Sequence, residues 1–122
     1  MYISVVSLDV ADVDRAVDFY TKKLGWQKTM DAPMGEGARW VTVAPSETAT
    51  AFTLTATYPD GSPAEPGGMS GVIMEVDDVF AEHDRLSQAG VEFVDAPAKM
   101  PWGGWATFKD SEGNVHGLHS PE

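Results

Sequence analysis

Asp9-Val-Ala-Asp-Val-Asp-Arg-Ala-Val-Asp-Phe-Tyr-Thr-Lys-Lys-Leu-Gly-Trp26 decides how this chain folds. The stretch reads as a strand end, a helix start and an amphipathic helix with a glycine stop. Asp12 stands where an N-cap is wanted, because its side-chain oxygen can accept from an otherwise unpaired N–H of the first turn. Val13, Ala16, Val17, Tyr20 and Leu24 recur at helical spacing and share one face. Asp14, Asp18, Lys22 and Lys23 take the other face, acids early and bases late, as the helix dipole prefers. Gly25 sits where a left-handed residue closes the helix.

A weaker copy of this stretch follows. Glu75-Val-Asp-Asp-Val-Phe-Ala-Glu-His-Asp-Arg-Leu-Ser-Gln-Ala-Gly90 keeps the Val-x-Asp-Val core and the glycine stop, and implies a helix of the same length. Asp31-Ala32-Pro33 is echoed by Asp95-Ala96-Pro97, and Trp40-Val-Thr-Val43 by Trp105-Ala-Thr-Phe108, at a nearly constant offset. An internal repeat organises the reading of everything else. Each half reads as βαβββ, one over about 1–57 and the other over about 71–120, within a single domain spanning 1–122.

The strands support this division. Val6, Leu8 and Val10 point to one side of the first strand, toward the helix, while Val5, Ser7 and Asp9 point to the other. Val72, Met74 and Val76 match the first set; Gly71, Ile73 and Glu75 match the second. Each sheet therefore has one face covered by its own helix and one left over. Ala32 to Gly37 and Ala96 to Gly104 read as loops from their glycines and prolines. Tyr58 to Ser70, with Pro59, Pro63 and Pro66, reads as the linker between halves. Asp110-Ser-Glu-Gly-Asn114 reads as a hairpin turn before a last strand, Val115 to His119.

Composition narrows the function classes. The 122 residues carry a net charge of −11, from 19 acidic and 8 basic side chains. Such a field repels nucleic acid and anionic lipid, so neither is an expected partner. There is no cysteine, which removes disulfides, thiolate metal sites and cysteine nucleophiles. No apolar run approaches a membrane span and no signal peptide precedes the first strand, so a cytoplasmic setting is expected. No P-loop, dinucleotide fingerprint or nucleophile elbow is present.

Taken together, Asp-Val-Asp-Arg-Ala…Phe-Tyr…Leu-Gly in the first half, Val-Asp-Asp-Val…Gly-Val-Glu-Phe in the second, and the ending Pro-Trp-Gly…Phe-Lys-Asp-Ser-Glu-Gly-Asn resemble the vicinal oxygen chelate superfamily. That group includes glyoxalase I, extradiol dioxygenases, fosfomycin resistance enzymes and bleomycin-binding proteins. The resemblance covers essentially the whole chain. It implies an α+β fold of two βαβββ modules whose curved mixed sheets surround a cleft, and a homodimer.

The resemblance also implies a divalent metal in catalytic members, and the ligand positions can be tested here. The first-strand position seven residues before each capping aspartate holds Val5 and Gly71. The position three residues after the Asn of the Gly-Asn turn holds Gly117; its first-half counterpart is Phe52 or Thr53. None is a good metal ligand. His83 falls on the second helix, and His116 and His119 point to opposite faces of the last strand. No metal and no cofactor are expected.

The expected site is therefore a ligand surface. Trp40 and Trp105 occupy matching positions, Trp102 lies on a Pro-Trp-Gly-Gly segment, and Met34 and Met100 lie in corresponding segments. Flat rings and adaptable methionines suit a planar or partly apolar ligand, although Trp40 and Trp105 serve equally as packing residues. Ser7, Asp9, Glu75, Phe52 and His119 complete the expected set. Asp9 and Glu75, at equivalent strand ends, would favour a cationic ligand, or are simply solvated. The function expected is metal-independent binding of a small molecule, sequestering an antibiotic of bleomycin-like or polycyclic aromatic type. The alternative is a glyoxalase-type lyase or isomerase using a divalent metal or Asp/Glu/His acid–base residues.

Overall fold

The structure, a computed structural model, describes residues 1–35 and 37–122; Glu36, in the first expected loop, lies outside them. The chain forms two compact units, Met1–Pro66 and Gly67–Glu122. The first contains β1 (Val5–Asp9), α1 (Val13–Asp18), β2 (Gln27–Pro33), β3 (Arg39–Ala44) and β4 (Ala51–Thr55). The second contains β5 (Gly68–Glu75), α2 (Val79–Gln88), β6 (Glu92–Met100), β7 (Gly103–Lys109) and β8 (Asn114–Ser120). Both are βαβββ, and the fold is α+β as expected. Among the described residues, no helix is long and apolar enough to cross a membrane.

The two mixed sheets have the same topology. Their strand orders are β1-β4-β3-β2 and β5-β8-β7-β6. In each, the first strand runs parallel to the last, and the remaining pairs are antiparallel. A parallel neighbour requires a crossover, which the helix supplies.

In the first unit the helix side is built from Leu8, Val10, Val41, Val43 and Leu54, all buried, against Ala16, Phe19, Tyr20 and Leu24. Burying each large aliphatic or aromatic side chain contributes roughly 1.5–3 kcal/mol. Asp12 caps α1 by accepting from the Arg15 N–H at 3.0 Å. The helix then departs from expectation. Phe19–Lys23 is a π-helical turn, in which the Leu24 N–H donates to the Phe19 carbonyl at 3.3 Å. That wider turn brings Phe19 into the core beside Tyr20. Gly25 follows with φ +79°. The second helix has no such turn; Asp78 caps it through the Phe80 and Ala81 N–H groups.

Three sequence boundaries move. β2 extends through Ala32 and Pro33, and β6 runs through the second expected loop to Met100, leaving only Pro101 and Trp102 as a turn. β5 starts at Gly68, so the end of the expected linker is strand. Irregular strands explain the misreadings. β6 slips register between Phe93 and Asp95 and again between Asp95 and Ala98. Pairing then sets Ala98 opposite Trp105, where the first unit has Ala32 opposite Trp40. The Asp-Ala-Pro echo thus does not survive as a structural equivalence: Asp31 pairs with Val41, whereas Asp95 pairs with Thr107.

β5 also slips, between Met69 and Ile73, with Gly71 at φ +79°. The Ser70 hydroxyl repairs the gap in the ladder. It donates to the Val115 carbonyl at 3.0 Å, accepts from the Val72 N–H at 3.1 Å and lies 2.7 Å from His116 Nδ1. His116 is wholly buried on the helix side, with Phe108 edge-on at 5.5 Å. The β7–β8 turn is held by buried Asp110, whose carboxylate accepts from the Glu112 and Asn114 N–H groups at 2.8 and 2.9 Å. Asn114 in turn accepts from the Gly67 N–H at 2.8 Å. A carboxylate bonded to several amides is a strong, geometrically fixed anchor.

Candidate functional site

Each sheet leaves one face without a helix. In the first unit this face carries Val5, Ser7 and Asp9 of β1, Trp40, Thr42 and Ala44 of β3, and Thr53 and Thr55 of β4, as the pairings of Ser7 with Thr53 and of Thr42 with Thr53 require. One end of it is hollowed into a groove of about 620 Å³. Trp40, Met30 and Val5 supply apolar wall, and Thr29, Thr42 and Glu47 supply polar atoms. Thr29 and Met30 are consecutive, yet both line the groove. They sit at a register slip in β2 between Lys28 and Met30, and a bulge re-aims a side chain in this way. The Thr29 and Thr42 hydroxyls bond each other at 2.6 Å.

Of the residues expected in this half, Trp40 lines the groove. Met34 is exposed beyond the end of β2 and does not line it. Ser7 and Asp9 lie on the same face toward its other end. The Ser7 hydroxyl bonds that of Thr55 at 2.9 Å. Asp9 accepts from the Tyr58 phenol on one oxygen, and from the Glu65 N–H at 3.0 Å on the other. The Asp9 carboxylate raises the Tyr58 phenol above its ordinary range, by hydrogen bonding to the protonated form. Asp9 thus ties Tyr58–Glu65 to the sheet instead of presenting a bare carboxylate.

Phe52 is corrected. It pairs with Val6 and Val43, points to the helix side and is buried. Its ring stacks on Trp26 at 5.5 Å and meets Tyr20 edge-on at 5.6 Å. A strand residue shows one face only, so Thr53, its neighbour, occupies the open face.

The second unit's open face gathers Glu75, Trp105 and His119, paired strand to strand. His119 Nδ1 lies 2.6 Å from Glu75 Oε1, and Nε2 lies 2.8 Å from the Trp102 carbonyl. Both partners are acceptors, so both ring nitrogens are called on to donate, which is the imidazolium form. The Trp102 carbonyl first, and the Glu75 carboxylate second, raise the His119 pKa. Gly103 makes the approach possible: at φ +123°, a Cβ there would fall 2.2 Å from the Ser120 carbonyl oxygen and 2.9 Å from His119 Nε2. Met100 ends β6 beside this turn, and the Trp102 side chain is 60% exposed. The Trp105 ring lies across Gly117, where a Cβ would be 2.6 Å from its edge. Thr107 donates to Asp95 at 2.9 Å on the same face.

Of the positions where the resemblance implies metal ligands, Val5 and Thr53 lie on the first unit's open face, Gly117 pairs with Ile73 and Thr107, and Gly71 falls inside the β5 register slip. Their one side-chain donor atom, a threonine hydroxyl, is a poor ligand, so this set does not fit a divalent metal. Among the described residues, no group of three or more His, Asp or Glu side chains could hold one elsewhere. His83 packs edge-on to Phe93 at 4.5 Å, a structural role.

Sequence reasoning missed the groove's Met30, Thr29, Thr42 and Glu47, and Tyr58 as the partner of Asp9. The alternation of Trp40, Thr42 and Ala44 along β3 carried the signal for Thr42. A bulge hid Thr29 and Met30, and Glu47 lies in a turn that no periodicity describes.

Comparison with known proteins follows the same lines. The sequence profile of the Glyoxalase/Bleomycin resistance protein/Dioxygenase superfamily matches residues 2–116. The chain is 36% identical to TnmS3, an antibiotic binding protein from Streptomyces sp. CB03234; the match covers 100% of this chain and 97% of that one, at a TM-score of 0.85. A glyoxalase/bleomycin resistance protein from the same Streptomyces is 38% identical over 95% of this chain and 97% of its own, with a TM-score of 0.77. YetH of Bacillus subtilis, an uncharacterized protein, is 34% identical over 93% of this chain and 92% of its own.

Proposed function

The chain belongs to the glyoxalase/bleomycin resistance protein/dioxygenase superfamily, and from that premise we propose that it is a binding protein which sequesters an antibiotic without a metal. The groove on the first unit's open face carries the reading: an indole, a thioether and threonine hydroxyls around about 620 Å³, a size suited to a small organic molecule. Similarity to TnmS3 along the full chain supports an antibiotic as the ligand class. A bleomycin-like or polycyclic aromatic compound fits walls of this kind. Sequestration requires affinity alone, so a ligand set of Val5, Thr53, Gly71 and Gly117 is no obstacle to it.

The His119–Glu75 pair favours an acid–base enzyme at first sight. Its geometry argues otherwise, because both ring nitrogens donate to internal acceptors and neither is left to take a proton from a substrate. Exposed Tyr2, Ile3 and Ile73 support a homodimer, which sedimentation would check.

The test is titration of tryptophan fluorescence with bleomycin and polycyclic antibiotics on chelator-dialysed protein. Saturable quenching, unchanged by chelator and lost in Trp40→Ala, is expected. Folded protein that gives no ligand-dependent signal would overturn sequestration.

A further inference from the structure

The charge that meets a ligand in this groove comes from neither of the carboxylates that sequence equivalence singles out. Asp9 is bonded through both oxygens to Tyr58 and Glu65. Glu75 is paired with His119. Glu47 differs from both. It lies in the turn between β3 and β4, is exposed, lines the groove, and has no hydrogen-bond or ion-pair partner among the described residues. It is also the only ionisable carboxylate among the lining residues, which include no lysine, arginine or histidine. The nearest bases in sequence are occupied elsewhere: Lys28 by Asp31, and Arg39 by Asp31 and Asp14.

We infer that the groove selects a planar aromatic cation, its rings against Trp40 and its positive group met by Glu47. This rests on the groove being the binding site proposed above. Two effects act in the same direction. A cation is attracted to an indole face, and an unpaired carboxylate has no protein partner to give up when it binds one. An anion of the same shape meets Glu47 and the net charge of −11 with nothing to offset them. Exposed ion pairs and cation–aromatic contacts are each modest, so the expected preference for the cation over its uncharged counterpart is about three- to tenfold.

The experiment compares 9-aminoacridine, a cation at pH 7.5, with acridine, which shares the three-ring frame and is uncharged there. Affinities are read by dye fluorescence at two salt concentrations. Wild type should bind the cation about three- to tenfold more tightly. Glu47→Gln should lower the ratio to the small preference that the Trp40 indole face supplies by itself. Asp18→Asn removes the same charge from α1, on the sheet's other side, and should leave the ratio intact. Equal affinities in wild type would overturn charge selection while the groove stands as a binding site. A ratio that falls as far in Asp18→Asn as in Glu47→Gln would overturn the role of Glu47 in favour of net charge. Binding of neither dye, in folded protein, would overturn the groove itself as an aromatic site.

Discussion

The two halves share one topology and part company on the face their helices leave open. By their places in the two separate ladders, Thr53 is the counterpart of Gly117, Thr55 of His119 and Asp9 of Glu75. In the second half, glycine at 117 gives the Trp105 ring a bed on β8. In the first half, Thr53 offers no such bed, and Trp40 lines a groove instead. The acids differ in the same local manner: a phenol and an amide hold Asp9, and an imidazole holds Glu75. One backbone register thus carries two different surfaces, and single side chains at fixed positions decide which.

The sharpest way to break this comparison separates core from surface within the first half. Phe52→Ala should cost about 3–5 kcal/mol in urea unfolding, because it empties the cluster with Trp26 and Tyr20. Trp40→Ala should abolish antibiotic binding with far less effect on unfolding. If Phe52→Ala unfolds like wild type, the assignment of faces is wrong.

Importing the first half's residue into the second tests the glycine bed. Gly117→Thr should destabilise by about 1–3 kcal/mol through overpacking, and shift the near-ultraviolet circular dichroism of Trp105. An unchanged spectrum would mean that Gly117 does not set the ring.

Titration of His119 tests the clamp that only the second half carries. The His119 pKa is raised, so the stability that its charged form contributes is full below the unfolded value of about 6.5. It is lost as pH rises through the folded value. Exposed Trp102, whose carbonyl His119 holds, should report this as a fluorescence transition above that pH; His119→Gln should remove it. A transition that persists in the variant would refute the clamp.

The smallest effect is expected at Asp31. Hydrogen bonds from Arg39 first, and then Lys28, lower its carboxyl to about 2. Its contribution is present above the unfolded value of about 4 and fades as pH falls through about 2. The pair is exposed, so Asp31→Asn should change stability only slightly, and less at high salt. A large loss would show that this ion pair matters more than its exposure allows.

Caps, glycine stops and period-two strands made the fold readable, since each is a local rule obeyed in both halves. Asp12, Asp78, Gly25 and the alternation of Ser7 and Asp9 all kept their expected places. What stayed hidden was nonlocal. Bulges at Thr29, after Phe93 and around Gly71 change which residues share a face, and periodicity assumes there are none. Phe52 was assigned to the wrong side because one step along a strand inverts a side chain, and the sequence did not settle that step. Partners such as Tyr58 for Asp9, or the Trp102 carbonyl for His119, lie far off in sequence, and no pattern announces them.

The π-helical turn at Phe19–Lys23 has a bearing on how the two halves came to differ in length. From capping aspartate to stop glycine, the first half runs from Asp12 to Gly25 and the second from Asp78 to Gly90, one residue fewer. The wide turn absorbs the surplus residue without moving the cap or the stop. The same turn seats Phe19 in the core. Any alignment of the halves should therefore open its gap inside Phe19–Lys23. A variant lacking one of those residues should wind as an uninterrupted α-helix, in the image of its sister.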